Sequence, residues 1–555
     1  MIPTLLRPYC AAAAAIVDPA AEVEGVVPTS NPAHGDYQWN FAFRVAKARR
    51  ENPRAMAEKL APCFEGRAGI RAVSVAGPGF INLSLDDGWL ASQLAAMTAS
   101  STTGVEDEGQ GRTVIVDFSS PNVAKRMHVG HMRSTHIGDV IVRLHRATGW
   151  TVVGDNHIGD WGTPFGKLVV AWDDWRDEAA YAGDPVGELE RLYVKFGEAP
   201  EAAALGDRAR AETARLQRGD PRNRALWADF KARSLAEYEG VYARMGVKFD
   251  EMLGESAYAD LVDPVVDALL AAGLAEESEG AVVIRDGNQV SVVRKKDGAA
   301  TYTATDLACV RYRVDRWNPA RMVYVTDVRQ AQHFANFFKI ASKWNVSAEM
   351  THVGFGMLKL PEGAMSTRSG NVIRLVDLLD EAVARARALV DEKSAMLPEA
   401  ERAMVAEAIG TGSVRYQDLV QSPATDVSFD WKRMLAMDGN SAPYLLYSRA
   451  RARSILRKAE IVPGAMRLDH PLERELAMSC LRFPEAVSAA TRNYAPNILA
   501  EHVYRACESF NRFYYELPVL QGGEAAGSRL ALVAAADVVM SRGLSLLGLS
   551  PLERM

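Results

Sequence analysis

The sequence predicts an α/β protein: a doubly wound parallel sheet, a smaller α/β domain ahead of it and an all-helical bundle behind it. Three observations predict this. Strand-like and helical patterns alternate between about residues 109 and 375, the signature of a parallel sheet with crossover helices. A separate strand-and-helix stretch precedes a polar linker, Ser101 to Gly109. From Leu375 onward only helical periodicity is expected.

Taken in order, the chain opens on an Ala-rich helical start and passes a Gly35-Asp36-Tyr37 turn into a helical stretch, Phe41 to Ala61. Gly79 to Leu85 reads as a strand. After the linker, β-branched Thr113 to Phe118 is a strand, a Ser-Ser-Pro-Asn turn follows, and Met132 to Arg146 is a helix: one β-loop-α unit. Thr151 to Gly154 is the next strand, and a highly charged helical insertion, about 172–245, then interrupts the sheet. Val282 to Arg294 reads as a hairpin turning at Asp286-Gly287. Strand Met322 to Thr326 enters helix Ala331 to Lys343, and His352 to Leu358 is the last strand. Helices Leu378 to Val390, Ala403 to Leu419, Ala442 to Ala459 and Leu499 to Tyr514 follow. The expected domains are 1–108, 109–375 and 376–555.

Composition excludes several classes. With 48% hydrophobic and 24% charged residues, each domain can bury a core, so disorder is excluded. The 70 acidic and 64 basic residues leave a formal charge of -6, so any nucleic-acid partner must be held by a local basic surface. Five scattered cysteines, without a Cys-x-x-Cys, disfavour a disulfide framework and a cysteine zinc site, and point to the cytoplasm. The apolar run Cys10 to Val17 is too short to cross a bilayer and lacks a basic leader, so neither export nor membrane anchoring is expected.

Chemistry concentrates in Asp117-Phe-Ser-Ser-Pro-Asn122-Val-Ala-Lys125-Arg-Met-His128-Val-Gly130-His131, where a strand gives way to a helix. Backbone N–H groups at such a helix start favour phosphate, and a glycine lets a flat base or phosphate approach. A lone His-x-x-His is more often a plain helix start or a metal pair, but no third ligand is spaced for a metal. Downstream lies a polar loop, Ala364-Met365-Ser366-Thr367-Arg368-Ser-Gly370-Asn371, ordinarily a mere connection. Together the two resemble the paired motifs of class I aminoacyl-tRNA synthetases. The chain is more closely similar to the arginyl-tRNA synthetases. Gly-Asp-Tyr and Gly-Phe-Ile-Asn-Leu near the start, Gly159 to Gly166, Tyr302-Thr-Ala-Thr-Asp306, Asn440 to Lys458 and the terminal Leu-Leu-Gly-Leu-Ser-Pro-Leu-Glu-Arg-Met carry that resemblance in order.

A guanidinium is planar, charged and rich in donors, so its pocket needs carboxylates and an aromatic wall. Tyr302 and Asp306, four apart, share a face if helical. The resemblance implies that this pair reads the guanidinium, with Glu255 as a second carboxylate. It also implies that Ser120, Asn122, His131 and Gln330 hold the α-amino and carboxylate end. Asp117 is similarly placed, or else closes the strand. His128 and His131 would contact the ATP phosphates, Gly130 would leave room for the adenine, and Met365 and Ser366 would complete the nucleotide site. Ala364 and Thr367 stand where the class usually has lysines, so Lys125, then Arg368, is the expected cation. Helix Tyr444 to Lys458 is basic, without an acidic residue and interleaved with two tyrosines. Tyr444, Tyr447, Arg449, Arg453 and, by resemblance, Met555 are the expected tRNA contacts, and the helical zone is the expected anticodon-binding bundle.

The implied activity is arginine–tRNA ligation by a Rossmann-like catalytic domain with an N-terminal tRNA-binding domain. ATP with Mg2+, L-arginine and tRNA(Arg) are the expected ligands, and the chain is expected to be a monomer without a C-terminal extension. The alternatives are another nucleotidyl transferase sharing the phosphate motif, which would lack the basic helix, a different class I synthetase, which would lack Tyr302, Asp306 and Gln330, and a retired tRNA-binding paralogue suggested by Ala364 and Thr367.

Overall fold

The computed structural model describes residues 1–29, 31–199, 202–287, 289–296, 298–359 and 373–555. Ahead of the linker lie α1 (Ile2–Val17), β1 (Val27–Pro28), β2 (Tyr37–Trp39), α2 (Phe41–Arg49), α3 (Pro53–Leu60), β3 (Ile70–Ala76), β4 (Phe80–Leu85) and α4 (Asp87–Ala99). The single helix expected over Phe41 to Ala61 is two. Pro53 pushes Asn52 out of the helical region, and the Asn52 side chain caps α3 by accepting from the Arg54 and Ala55 N–H groups.

The strands pair antiparallel in the order β1-β2-β4-β3, over a core in which Trp39 stacks on Phe41 at 4.8 Å. Gly35-Asp36-Tyr37 is more than a turn. Gly35 has φ 104°, and a Cβ there would lie 2.8 Å from the Leu83 carbonyl oxygen. Asp36 accepts from both terminal nitrogens of Arg474 at 2.8 and 2.7 Å, and the Tyr37 hydroxyl donates to Glu485 at 2.6 Å. Both partners belong to the helical bundle, so this turn docks the first layer onto the last.

The parallel sheet starts with β5 (Thr113–Asp117), α5 (Val129–Ala147) and β6 (Thr151–Asp155). Helices α6 (Thr163–Trp175), α7 (Glu178–Gly183), α8 (Pro185–Glu198), α9 (Ala202–Gln217) and α10 (Pro221–Met245) fill the insertion. Next come α11 (Ala259–Ala271), the antiparallel trio β7 (Glu276–Ser278), β8 (Ala281–Asp286) and β9 (Gln289–Arg294), and α12 (Tyr302–Trp317). The hairpin is the one expected; its third strand is an addition. β10 (Arg321–Asp327), α13 (Ala331–Lys343) and β11 (Glu349–Phe355) complete the sheet, whose order β11-β10-β5-β6 is parallel throughout. β5 is therefore central, and the loop leaving its carboxyl end opens where such sheets take ligands.

β12 (Leu358–Lys359) pairs with a later strand, β13 (Val427–Ser428), so strands do not stop at Leu375. Two residues carry no periodicity to read. Helices α14 (Leu375–Lys393), α15 (Glu399–Leu419), α16 (Trp431–Met434), α17 (Ala442–Lys458), α18 (Pro471–Leu481), α19 (Phe483–Arg492), α20 (Pro496–Glu516) and α21 (Ala526–Leu546) make the bundle. Buried arginines join it to the sheet domain. Arg133 on α5 donates to Asp418 at 2.7 Å and to the Gly356 and Thr425 carbonyls. Arg415 on α15 donates at 2.7 Å both to Asp139 on α5 and to the Met245 carbonyl that ends α10. Arg415→Ala would leave that carbonyl unpaired in the interior, so we expect it to lower stability by ~3–5 kcal/mol. Urea unfolding followed by tryptophan fluorescence measures this, and an unchanged midpoint would contradict it.

Candidate active site

Between β5 and α5 the chain must reverse away from the sheet edge, and it does so through residues that resist the conformation. Ser119, Ser120 and Ala124 have φ of 76°, 50° and 63°, left-handed values that cost non-glycine residues ~1–2 kcal/mol each. Hydrogen bonds from one face of α10 offset that cost. Ser234 Oγ accepts from the Ala124 N–H at 3.0 Å. One turn on, the Tyr238 hydroxyl meets the Asn122 and Lys125 carbonyls, each at 2.6 Å. One further turn along, the Tyr242 hydroxyl lies 2.7 Å from Ser119 Oγ and accepts from Asn156 Nδ2, while Asn156 Oδ1 accepts from the Ser120 N–H.

The loop ends in a reciprocal cap. His128 Nδ1 accepts from the Gly130 N–H at 3.0 Å, and His131 Nδ1 accepts from the His128 N–H at 3.1 Å. Burial, then the neighbouring charges, lowers the pKa of both rings, His131 to about 3. Both are thus neutral, and because each Nδ1 accepts, each carries its proton on Nε2. Two fixed N–H donors stand side by side, with ring centroids 4.0 Å apart. Gly130, expected to make room for adenine, first makes room for this cap: a Cβ there would lie 2.7 Å from the His128 ring. Lys125 places its ammonium 4.1 Å from the centroid of the Tyr193 ring.

Beside the loop lies a cavity of about 420 Å³ lined by Asp117, Ser120, Asn122, Glu255, Tyr302, Asp306 and Gln330. Seven residues singled out in the sequence thus line one cavity, while His131, expected at the α-amino and carboxylate end, is not among its lining residues. Asn122 reaches it because residue 159 is glycine: a Cβ there would stand 2.2 Å from Asn122 Oδ1. Tyr302 and Asp306 occupy the first turns of α12 on one face, as their spacing predicts, with Tyr302 75% exposed at the rim. Asp306 accepts from, or pairs with, His333 Nε2 at 2.8 Å, and this contact raises the His333 pKa. The Glu255 carboxyl is pushed up to about 7, by burial first, with the Asp160 and Asp306 charges adding to the rise and His157 opposing it. The segment carrying it is pinned by fully buried Asp160, which accepts from the Ser256 N–H at 2.8 Å and from Lys231 Nζ at 2.6 Å. Asp117 does both things the sequence allowed. It lines the cavity, accepting from Ser120 Oγ at 3.3 Å, and it binds buried Arg313 at 2.5 Å, which also donates to Asp155 at 2.7 Å.

The chain that carries this loop with paired histidine donors, beside a cavity lined by three carboxylates and two tyrosines, matches known proteins over nearly its whole length. The family model "tRNA synthetases class I (R), catalytic domain" matches residues 93–431, "DALR anticodon binding domain" 445–555 and "Arginyl tRNA synthetase N terminal domain" 6–85. The chain belongs to the arginyl-tRNA synthetase family. It is 42% identical to an arginine–tRNA ligase of Fusobacterium nucleatum, covering 95% of this chain and 94% of that one. It is 41% identical to that of Chloroflexus aggregans, covering 92% of each. The crystal structure of an arginyl-tRNA synthetase from Plasmodium falciparum superposes with a TM-score of 0.85 at 25% identity, over 100% of this chain and 99% of that one.

Met365, Ser366 and Arg368 lie outside the described residues. Among the expected tRNA contacts, Arg449 needs correction. It is buried, and its guanidinium is spent on Asp537, Glu553 and the Leu552 carbonyl, so it ties down the C-terminal segment. Arg453 also pairs with Asp537 and Glu553. Tyr444 is half-buried, with its ring 5.8 Å from Tyr504. Tyr447 stays at the surface side of α17, with Arg451 over its ring at 4.7 Å, and Tyr514 and Tyr515 of α20 hold the same guanidinium at 4.9 and 4.8 Å. Met555 packs half-buried against the bundle core. His333, Arg313, Tyr238 and Tyr193 went unnoticed in the sequence; only His333, three residues after Gln330, had a nearby signal.

The capping geometry has a spectroscopic consequence. We expect selectively 15N-labelled His131 to keep the neutral Nε2–H pattern from about pH 8 to about pH 5. A titration midpoint near the ordinary histidine value would contradict the cap.

Proposed function

We propose that the chain is an arginine–tRNA ligase that activates L-arginine with ATP, releases pyrophosphate, and transfers the arginyl group to the 3′-terminal adenosine of tRNA(Arg). One observation carries the reading of the site: two carboxylates and a tyrosine share a cavity with Asn122, Ser120 and Gln330, beside the two capped histidines. The guanidinium goes to Asp306 and Glu255 against Tyr302, and the α-amino and carboxylate end to Ser120, Asn122 and Gln330. That puts the arginine carboxylate toward the loop, where it attacks the α-phosphorus of ATP. The Nε2–H groups of His128 and His131 donate to phosphate oxygens, and Lys125 supplies the positive charge as pyrophosphate leaves. Mg2+ enters with ATP. Among the described residues no three His, Cys, Asp or Glu side chains stand together to hold a metal.

The reading divides the chain at 1–108, 109–375 and 376–555, with the last part taking the anticodon and the first touching the outer corner of the tRNA. Tyr447, Tyr514, Tyr515 and Arg451 are its base-stacking and phosphate-facing candidates. It takes the chain to work as a monomer in the cytoplasm. All five cysteines are free, and among the described residues no helix is long and apolar enough to cross a membrane.

Pyrophosphate exchange with each of the twenty amino acids, with and without tRNA, tests the assignment: exchange is expected with arginine alone. Exchange with another amino acid would overturn the specificity, and none under either condition would favour the retired paralogue. Lys125→Ala is expected to slow adenylate formation by ~2–4 kcal/mol in single-turnover measurement. The pocket carboxylates give a pH signature. A guanidinium binds the ionised Glu255, so protons compete with arginine as pH falls through about 7. Protonation of His333 on Asp306 works in the same direction. The KM for arginine should therefore rise on acidification, approaching ~10-fold per pH unit, and Glu255→Gln should raise KM and flatten much of that slope. A pH-independent KM in the parent enzyme would refute the role of Glu255.

A further inference from the structure

The insertion reaches Lys125 from two sides. Tyr238 of α10 holds its carbonyl at 2.6 Å, and the ring of Tyr193 on α8 lies 4.1 Å from its ammonium. The two neighbouring cations of the loop are treated differently. Arg126 turns to Asp184 and Glu237, which cancel its charge. Lys125 is given an aromatic face, which attracts a cation through its quadrupole and leaves the charge intact. The ammonium is also near enough to the capped histidines for its charge to add to burial in lowering the pKa of both. Lys167 of α6 approaches the same ring at 5.9 Å, so this part of the insertion gathers positive charge around one tyrosine.

We propose that Tyr193 is a positioning residue for adenylate formation: its ring holds the Lys125 ammonium beside His128, charged and free to meet the ATP phosphates. Tyr193 acts through Lys125 and does not itself touch the substrate. The proposal rests on the reading of Lys125 as the phosphate cation.

ATP–pyrophosphate exchange by the full chain, with L-arginine and tRNA present, tests it. Tyr193→Leu should lower kcat by about three- to thirtyfold while the KM for arginine stays put. Tyr193→Phe, which keeps the ring face, should restore the rate. In a Lys125→Ala background Tyr193→Leu should cost nothing further, a coupling that a merely structural role would not produce. tRNA binding by the same preparations reports folding, and Tyr193→Gln supplies the comparison if the leucine variant loses it. A parental kcat in Tyr193→Leu, or an undiminished loss in the Lys125→Ala background, would overturn the proposal alone. An unchanged kcat in Lys125→Ala would instead overturn the reading of Lys125, and the proposal with it.

Discussion

The structure depends on the left-handed turn that leaves β5. Three residues with side chains sit where glycine would be comfortable, and without support the turn would relax and carry Asn122 off the cavity and Lys125 off Tyr193. Support comes from Ser234, Tyr238 and Tyr242, spaced four apart along α10. That spacing puts all three on one face of a 25-residue helix. The far end of α10 is held as firmly: the Met245 carbonyl takes Arg415, and the Gly246 carbonyl takes Arg143. One helix therefore fixes the catalytic loop and also touches the junction with the bundle. The insertion is part of the active-site scaffold.

The cavity solves a charge problem in layers. Three carboxylates, Asp117, Glu255 and Asp306, line it and buried Asp155 pairs with the same arginine as Asp117, and leaving all of them bare would make the site unstable before any substrate arrived. Arg313, fully buried, pairs with both Asp117 and Asp155 and offsets part of their charge. Asp306 shares its charge with His333, and Glu255 takes up a proton easily because burial, and after it the Asp160 and Asp306 charges, raise its pKa to about 7. What remains is a pocket that is tolerable when empty and strongly acidic toward a guanidinium. On the proposed reading a neutral amino acid would leave Glu255 without a cationic partner, so a polar pocket could discriminate without a second sieve.

How much of this the sequence carried follows from separation along the chain. Tyr302 and Asp306 were legible because four residues on a helix means one face. The loop from Asp117 to His131 was legible because strand, turn and helix follow one another directly. Tyr238 was not, since its hydroxyl meets backbone 113 and 116 residues away, and nothing local distinguishes it from a packed core tyrosine. Gly159 stood in a recognisable string, but its reason, the Asn122 side chain beside it, exists only once the chain is folded. The helix expected over Phe41 to Ala61 failed for a local reason that was in view, the Asn-Pro step at 52–53.

Arg449 shows why counting charges misleads at the nucleic-acid surface. An acidic total of -6 argued against a polyanion and a basic helix argued for one, yet neither says which arginines keep their charge available. Arg133, Arg415, Arg449 and Arg474 are all committed to carboxylates in the folded chain, serving as joints between layers. A guanidinium in such a joint has its field cancelled within a few ångströms and offers little to a phosphate. Arg451 is held differently: three tyrosine rings and the Asn511 amide are its contacts. Rings fix its position without cancelling its charge, and the same rings present faces on which bases can stack. Lys125 and Arg451 share one arrangement, a cation seated on tyrosine rather than on a carboxylate, and on the proposed reading that seating leaves each charge available to a phosphate.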